Sequence, residues 1–201
     1  REDWSLVDGN TVADPAAEIV NRLAAAPRSE IALLAVTVMP GPQLTQAVAV
    51  CRRVKDAAPH VPIVWGGYFP SDQPDACMSA AYIDYVMRGN ADETFPALVS
   101  AIWGDGDFDS IRGLVFRRGD QTRKNPLPDV VDPGRLPRFP YDRVPAERYI
   151  ATTYLGRRTL NHHSSYGCPF LCNFCSIVVQ YEGRYRAEDA PRVVAVVREL
   201  R

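Results

Sequence analysis

Ile31-Ala32-Leu33-Leu34-Ala35-Val36-Thr37-Val38, running straight into Met39-Pro40-Gly41-Pro42, is the stretch whose reading decides the fold. Its eight residues carry one hydroxyl and no charge, so apolar and polar positions do not alternate. The strand they predict is therefore covered on both faces, as in a parallel sheet with helices on each side. The proline and glycine at its end mark a sharp exit into the next element.

The pattern repeats outward in both directions. After the run, Leu44, Ala47, Val48, Cys51, Val54 and Ala58 recur at helical spacing until Pro59 and Pro62 close the helix, which makes Cys51 a core residue. Before it, Asp14-Pro15 offers an N-cap and a first-turn proline to a helix carrying Ile19, Val20, Leu23 and Ala24. Residues 4–8, around Leu6-Val7, predict a strand that stops at the turn Asp8-Gly9-Asn10. Downstream, residues 61–65 predict a third strand ending in Gly66-Gly67-Tyr68, and 72–81 a weaker helix. Residues 82–87 predict a fourth strand ending at Arg88-Gly89-Asn90. From Asp92 an acidic turn leads into Phe95, Leu98, Val99 and Ile102 at helical spacing, with Pro96 in the first turn, where a missing N–H costs little. Strand and helix alternate four times, which predicts an α/β fold: a doubly wound parallel sheet of Rossmann or flavodoxin type.

Residues 111–118 and a partner after Gly119-Asp120 predict a hairpin that closes this domain. Prolines 126, 128, 133, 137, 140 and 145 then interrupt a stretch without periodicity, which reads as an extended linker laid against a surface. Residues 157–161 predict a strand leading into the cysteine-rich stretch at 168–175, and Asp189 and Pro191 open a last helix. The resulting division is 1–125, 126–149 and 150–201. A start at Arg1 and a stop at Arg201, inside a helical pattern, read as those of a piece of a longer protein.

Composition narrows the function. Hydrophobic residues make up 46% of the chain and charged ones 23%, the balance of an ordinary globular protein. A formal net charge of -1 gives no electrostatic case for nucleic acid. No apolar run reaches the length of about 18 residues that a membrane span needs, which argues against a membrane partner and points to the cytoplasm. Neither G-x-G-x-x-G nor G-x-x-x-x-G-K-[ST] occurs, so dinucleotide and nucleoside triphosphate lose their usual support.

Three of the five cysteines stand within eight residues, in Gly167-Cys168-Pro169-Phe170-Leu171-Cys172-Asn173-Phe174-Cys175. Thiolates this close on an irregular loop can converge on one inorganic centre, and three of them leave a coordination position open. A zinc knuckle completed by His162 or His163 is the alternative. The C-x-x-x-C-x-x-C spacing, with Phe174 before the last cysteine, resembles the radical S-adenosylmethionine (SAM) superfamily. That resemblance implies a 4Fe-4S cluster on Cys168, Cys172 and Cys175, with SAM on the open iron and Phe174 beside its adenine.

Ligands of a doubly wound sheet bind outside the carboxyl ends of its strands. The distinctive strand ends here are 37–42, 65–68 and 89–93, where glycines let backbone approach a large ligand. This series resembles the cobalamin-binding domain of the cobalamin-dependent radical SAM enzymes. By that resemblance Thr37, Met39, Gly41, Gly66, Gly67, Tyr68, Gly89 and Glu93 are the candidate cobalamin contacts, although Asn90 and Asp92 depart from the family's Gly-Glu-Gly-Glu stretch. Residues 150–201 would be the start of the radical SAM β/α barrel. The implied activity is transfer of a methyl group from methylcobalamin to an unactivated position of a small-molecule or peptide substrate, after formation of a 5'-deoxyadenosyl radical. An external electron donor would serve it. A cyclase of the anaerobic porphyrin type and a non-catalytic cofactor-binding fragment are the alternatives.

Overall fold

The computed structural model describes residues 4–27, 29, 33–104 and 106–200. Ile31 and Ala32 of the quoted run, and the chain ends Arg1 and Arg201, lie outside them. Asp14 opens α1 (Pro15–Ala25) as the sequence predicts, its carboxylate accepting the Ala17 N–H at 3.0 Å. That backbone bond, with the Arg53 guanidinium, holds the Asp14 carboxyl below its ordinary range. The quoted run forms β1 (Leu34–Thr37), and Gly41, at φ +97°, turns the chain into α2 (Pro42–Ala57). After β2 (Ile63–Gly66), the single helix predicted over 72–81 is replaced by two short ones, α3 (Tyr68–Asp72) and α4 (Pro74–Met78). Pro74 supplies no N–H to continue α3 and forces Gln73 out of helical backbone. Next come β3 (Tyr85–Met87), α5 (Phe95–Trp103), and the hairpin of β4 (Leu114–Arg118) and β5 (Gln121–Lys124).

These strands make one sheet in the order β1-β2-β3-β4-β5. The first three are parallel, with Leu34 opposite Ile63 and Val64 opposite Tyr85, whereas β4 runs antiparallel to β3. The sheet is thus mixed, and its two faces follow from the period of two along each strand. Ile63, Trp65, Val86 and Val115 face Cys51 and Val54 of α2 and Cys77 and Met78 of α4. Val64, Met87, Leu114 and Phe116 face Leu98 and Ala101 of α5. Helices therefore cover both faces, as the unalternating run predicts.

Residues 4–8 do not form the predicted strand. A strand exists only with a ladder partner, and here side chains take the carbonyls instead: Arg22 donates to Leu6 O at 3.0 Å and Gln46 to Gly9 O at 3.1 Å. Among the described residues three parallel strands result where the sequence predicts four.

The proline-rich stretch is extended, broken by 3-10 turns at Pro133–Arg135, Tyr141–Arg143 and Ala146–Tyr149. It leads to the antiparallel pair β6 (Ala151–Thr153) and β7 (Gly156–Thr159). Residues 157–161 therefore do not feed the cysteine loop, because the nearest partner for β7 is its own hairpin mate, reinforced by the 2.9 Å Thr153–Thr159 hydroxyl bond. The strand that enters the loop is β8 (Ser165–Gly167), followed by α6 (Ile177–Tyr181). β9 (Tyr185–Ala187) returns antiparallel to β8, and α7 (Ala190–Glu199) starts on the cap Asp189, as predicted. No helix among the described residues is long and apolar enough to cross a membrane.

Leu98 is fully buried between α5 and the sheet, whereas Val197 on α7 is 60% exposed. Leu98→Ala is expected to cost about 2–5 kcal/mol in urea unfolding, and Val197→Ala less than about 0.5 kcal/mol. Equal losses would mean that α5 does not close a core.

Candidate functional site

The carboxyl ends of β1, β2 and β3 lie side by side, and their exits are joined by hydrogen bonds beyond the sheet itself. Thr37 stands opposite Gly66, Val38 N–H donates to Gly66 O at 2.8 Å, and Phe69 N–H donates to Val38 O at 3.2 Å. Gly67 sits at φ +98°, and a Cβ there would lie 3.0 Å from Val38 O and 3.3 Å from Thr37 Cγ2. Only glycine satisfies both the backbone angle and the contact. Thr37, Gly66 and Gly67 are thus brought together at the carboxyl edge of the sheet. Met39 and Gly41 form its exposed lip, where Gln43 Oε1 accepts the Met39 N–H at 2.7 Å.

The β3 exit is tied to this edge through a residue the sequence pattern did not single out. Ser71, 2% exposed, donates its hydroxyl proton to Gly67 O at 2.8 Å and accepts the Gly89 N–H at 3.0 Å. The one sequence signal for it is its spacing, a small hydroxyl four residues after glycine in a helical turn, the geometry of back-bonding to the i−4 carbonyl. Gly89, at φ +72°, leaves little room for a side chain, since a Cβ there would lie 3.3 Å from Pro128. Glu93 is exposed and meets Arg135 of the linker at 3.4 Å.

Tyr68 opens α3, and α3 packs against α6, which directly follows the cysteine loop. The two candidate regions are therefore neighbours in space. Tyr181 at the end of α6 is buried. Burial, with Tyr68, Tyr166 and Asp92 nearby, pushes its phenol up to about 12.

The cysteine loop begins at Gly167, φ +79°, whose Cβ position is closed by Arg184 O and by the Tyr181 ring at 3.1 Å. Cys175 N–H donates to Cys172 O at 3.2 Å, so Cys172, Asn173, Phe174 and Cys175 make one turn that leads into α6. All three cysteines are free thiols. Cys172 is exposed, and Cys168 and Cys175 are half-buried. Among the described residues no three His, Cys, Asp or Glu side chains converge at metal-ligating distance, so the loop carries the three thiols without gathering them. As a donor set they suit an iron-sulfur cluster with one open position. His162 is otherwise engaged: Nδ1 pairs with Tyr141 OH at 3.0 Å and Nε2 with Glu188 Oε2 at 3.3 Å. Phe174, at 88% exposure, stands on the surface with Phe170 and Leu171.

Cys51 and Cys77 are different in kind. Both are buried in the sheet core, where desolvation lifts each thiol from the ordinary 9.0 to about 11. Native anaerobic protein at pH 8 is expected to release three equivalents of colour with Ellman's reagent, and five after unfolding. A native value of five would contradict the burial of these two thiols. Because the folded values are raised, the stabilisation from keeping the thiols neutral is present below pH 9 and is lost as pH rises towards 11. Urea midpoints should fall across that window, and a flat profile would contradict the assignment.

Residues 7–99 match the family described as "B12 binding domain". The chain is 30% identical over 131 residues to an anaerobic magnesium-protoporphyrin IX monomethyl ester cyclase of Synechocystis sp., covering 63% of this chain and 26% of that protein. It is also 30% identical over 150 residues to an uncharacterized methyltransferase of Pyrococcus horikoshii, covering 74% of this chain and 32% of that one. The chain thus spans about a third or less of these relatives. Among solved structures, the radical SAM methyltransferase TsrM of Kitasatospora setae superposes with TM-score 0.65 at 18% identity, covering 94% of this chain and 37% of TsrM. The cobalamin-dependent SAM radical enzyme OxsB does so with TM-score 0.65 at 14% identity, covering 91% and 24%. Both show the same fold. With its glycine-floored sheet edge, the chain matches the B12-binding domain family over residues 7–99, and it shares its fold with solved cobalamin-dependent radical SAM enzymes.

Proposed function

We propose that this chain is the two-cofactor portion of a cobalamin-dependent radical SAM enzyme that transfers a methyl group to an unactivated position of a small-molecule or peptide substrate. The observation that carries the reading is the packing of α3, which opens at Tyr68 on the rim of the B12-binding domain, against α6, which closes a loop holding three thiols within eight residues. We divide the chain into a cobalamin-binding domain at 1–125, a linker at 126–149 and the start of a radical SAM barrel at 150–201. Arg192, which donates to Leu136 O at 2.7 Å, and Arg135, paired with Glu93, support a linker that straps the two parts together.

Cys168, Cys172 and Cys175 would hold a 4Fe-4S cluster, Phe174 would lie beside the adenine of SAM, and Thr37, Met39, Gly41, Gly66, Gly67, Tyr68, Gly89 and Glu93 would line the cobalamin crevice. When bound, the cluster would supply the electron that cleaves SAM, and methylcobalamin the methyl group. The chain's own part is geometric. Glycine backbone lets a flat, bulky ligand seat on the strand ends, and α3 packed on α6 sets the cysteine loop beside them. An external reductant would serve the cluster. Ring formation is the second reading, favoured by the Synechocystis cyclase among the relatives.

Apoprotein mixed with hydroxocobalamin and passed through a desalting column should elute coloured; a colourless protein fraction overturns the crevice. After anaerobic reconstitution with iron and sulfide, the cluster's EPR signal should shift on addition of SAM. Cys172→Ala should lose both iron and response, and iron retention equal to the parent's removes the cluster assignment.

A further inference from the structure

We propose that Ser71 is the positioning residue of the crevice, a single hydroxyl that sets the separation of the β2 and β3 exits; this rests on the cobalamin reading above. The two glycine turns that floor and flank the crevice come from different strands, and past the strand ends no sheet ladder holds them in register. Between them stands the Ser71 hydroxyl, donating to Gly67 O at 2.8 Å and accepting from Gly89 N–H at 3.0 Å. Ser71 is 2% exposed, so water does not compete for either bond.

The two bonds differ in what replaces them. Gly67 O still accepts the Ser71 backbone N–H at 3.2 Å when the hydroxyl is removed, whereas Gly89 N–H would lose its acceptor. Gly89 turns the chain at φ +72°, and the Ser71 hydroxyl holds its N–H in that turn. The turn would then move relative to Gly67, and a rigid macrocycle seated across both would lose its fit. A hydroxyl at this point acts through the two glycines and touches no reacting atom.

The test titrates the 201-residue chain with hydroxocobalamin by equilibrium dialysis and follows thermal melting, with Ser71→Ala, Ser71→Thr and Val115→Ala beside the parent. Val115 is fully buried in β4 and destabilises the same core without touching either turn. Ser71→Ala is expected to weaken binding about tenfold. Ser71→Thr, which keeps the hydroxyl, should stay within about twofold, and Val115→Ala should lower Tm with the dissociation constant unmoved. Amide exchange at Gly89, which needs no cofactor, should accelerate in Ser71→Ala alone. An unchanged dissociation constant or unchanged Gly89 exchange in Ser71→Ala, or equal weakening by Val115→Ala, overturns the role of Ser71. Failure of the parent itself to bind cobalamin overturns the reading beneath it.

Discussion

The contact on which the structure depends is the close approach of Gly67 to the end of β1. Parallel strands are held by evenly spaced bonds that normally stop where the strands stop. Here the ladder continues for one more step, from Val38 N–H to Gly66 O and from Phe69 N–H to Val38 O. It can do so because nothing protrudes from Gly67. Any side chain there would part the two strand exits, and with them the floor on which a large ligand could seat.

From that floor short polar ties join the strand exits to the segments that follow. Ser71 links the β2 exit to the β3 exit, and Arg135 meets Glu93. On the other side the network of Tyr141, His162, Glu188 and Arg192 binds the linker to β8 and α7, with the Glu188 side chain only 7% exposed. A paired, buried carboxylate of this kind specifies one arrangement more than it adds stability. The proline-rich stretch is thus tied to its neighbours on both sides, and its prolines lower the entropy lost in laying it down.

Much of this was legible beforehand. The unalternating run at 31–38 implied a doubly covered strand, Asp14-Pro15 a helix start, and the stripe through Cys51 a buried helix face, because these follow from local sterics and periodicity. The strand at 4–8 and the single helix at 72–81 were misjudged for opposite reasons. A strand is a pairing, and no pattern in Leu6-Val7 says whether a partner lies alongside; a proline at position 74 outweighs the helical pattern around it. Of the site, the glycines and cysteines were visible as residue types. Ser71 was not, because a serine in a helix has no signature until its two partners, Gly67 and Gly89, are brought to it.

The sequence by itself determined which residues could serve: small ones at strand ends, three thiols on one irregular loop, and a net charge of -1 that makes no electrostatic case for nucleic acid. These are properties of composition and spacing, set by chemistry along the chain. Only the tertiary structure decided that the loop after β8 lies beside the exits of β2, through α3 on α6, and that one buried hydroxyl joins two glycine turns. Those are relations between segments distant along the chain, and they arise from burial of faces that no single segment can bury alone.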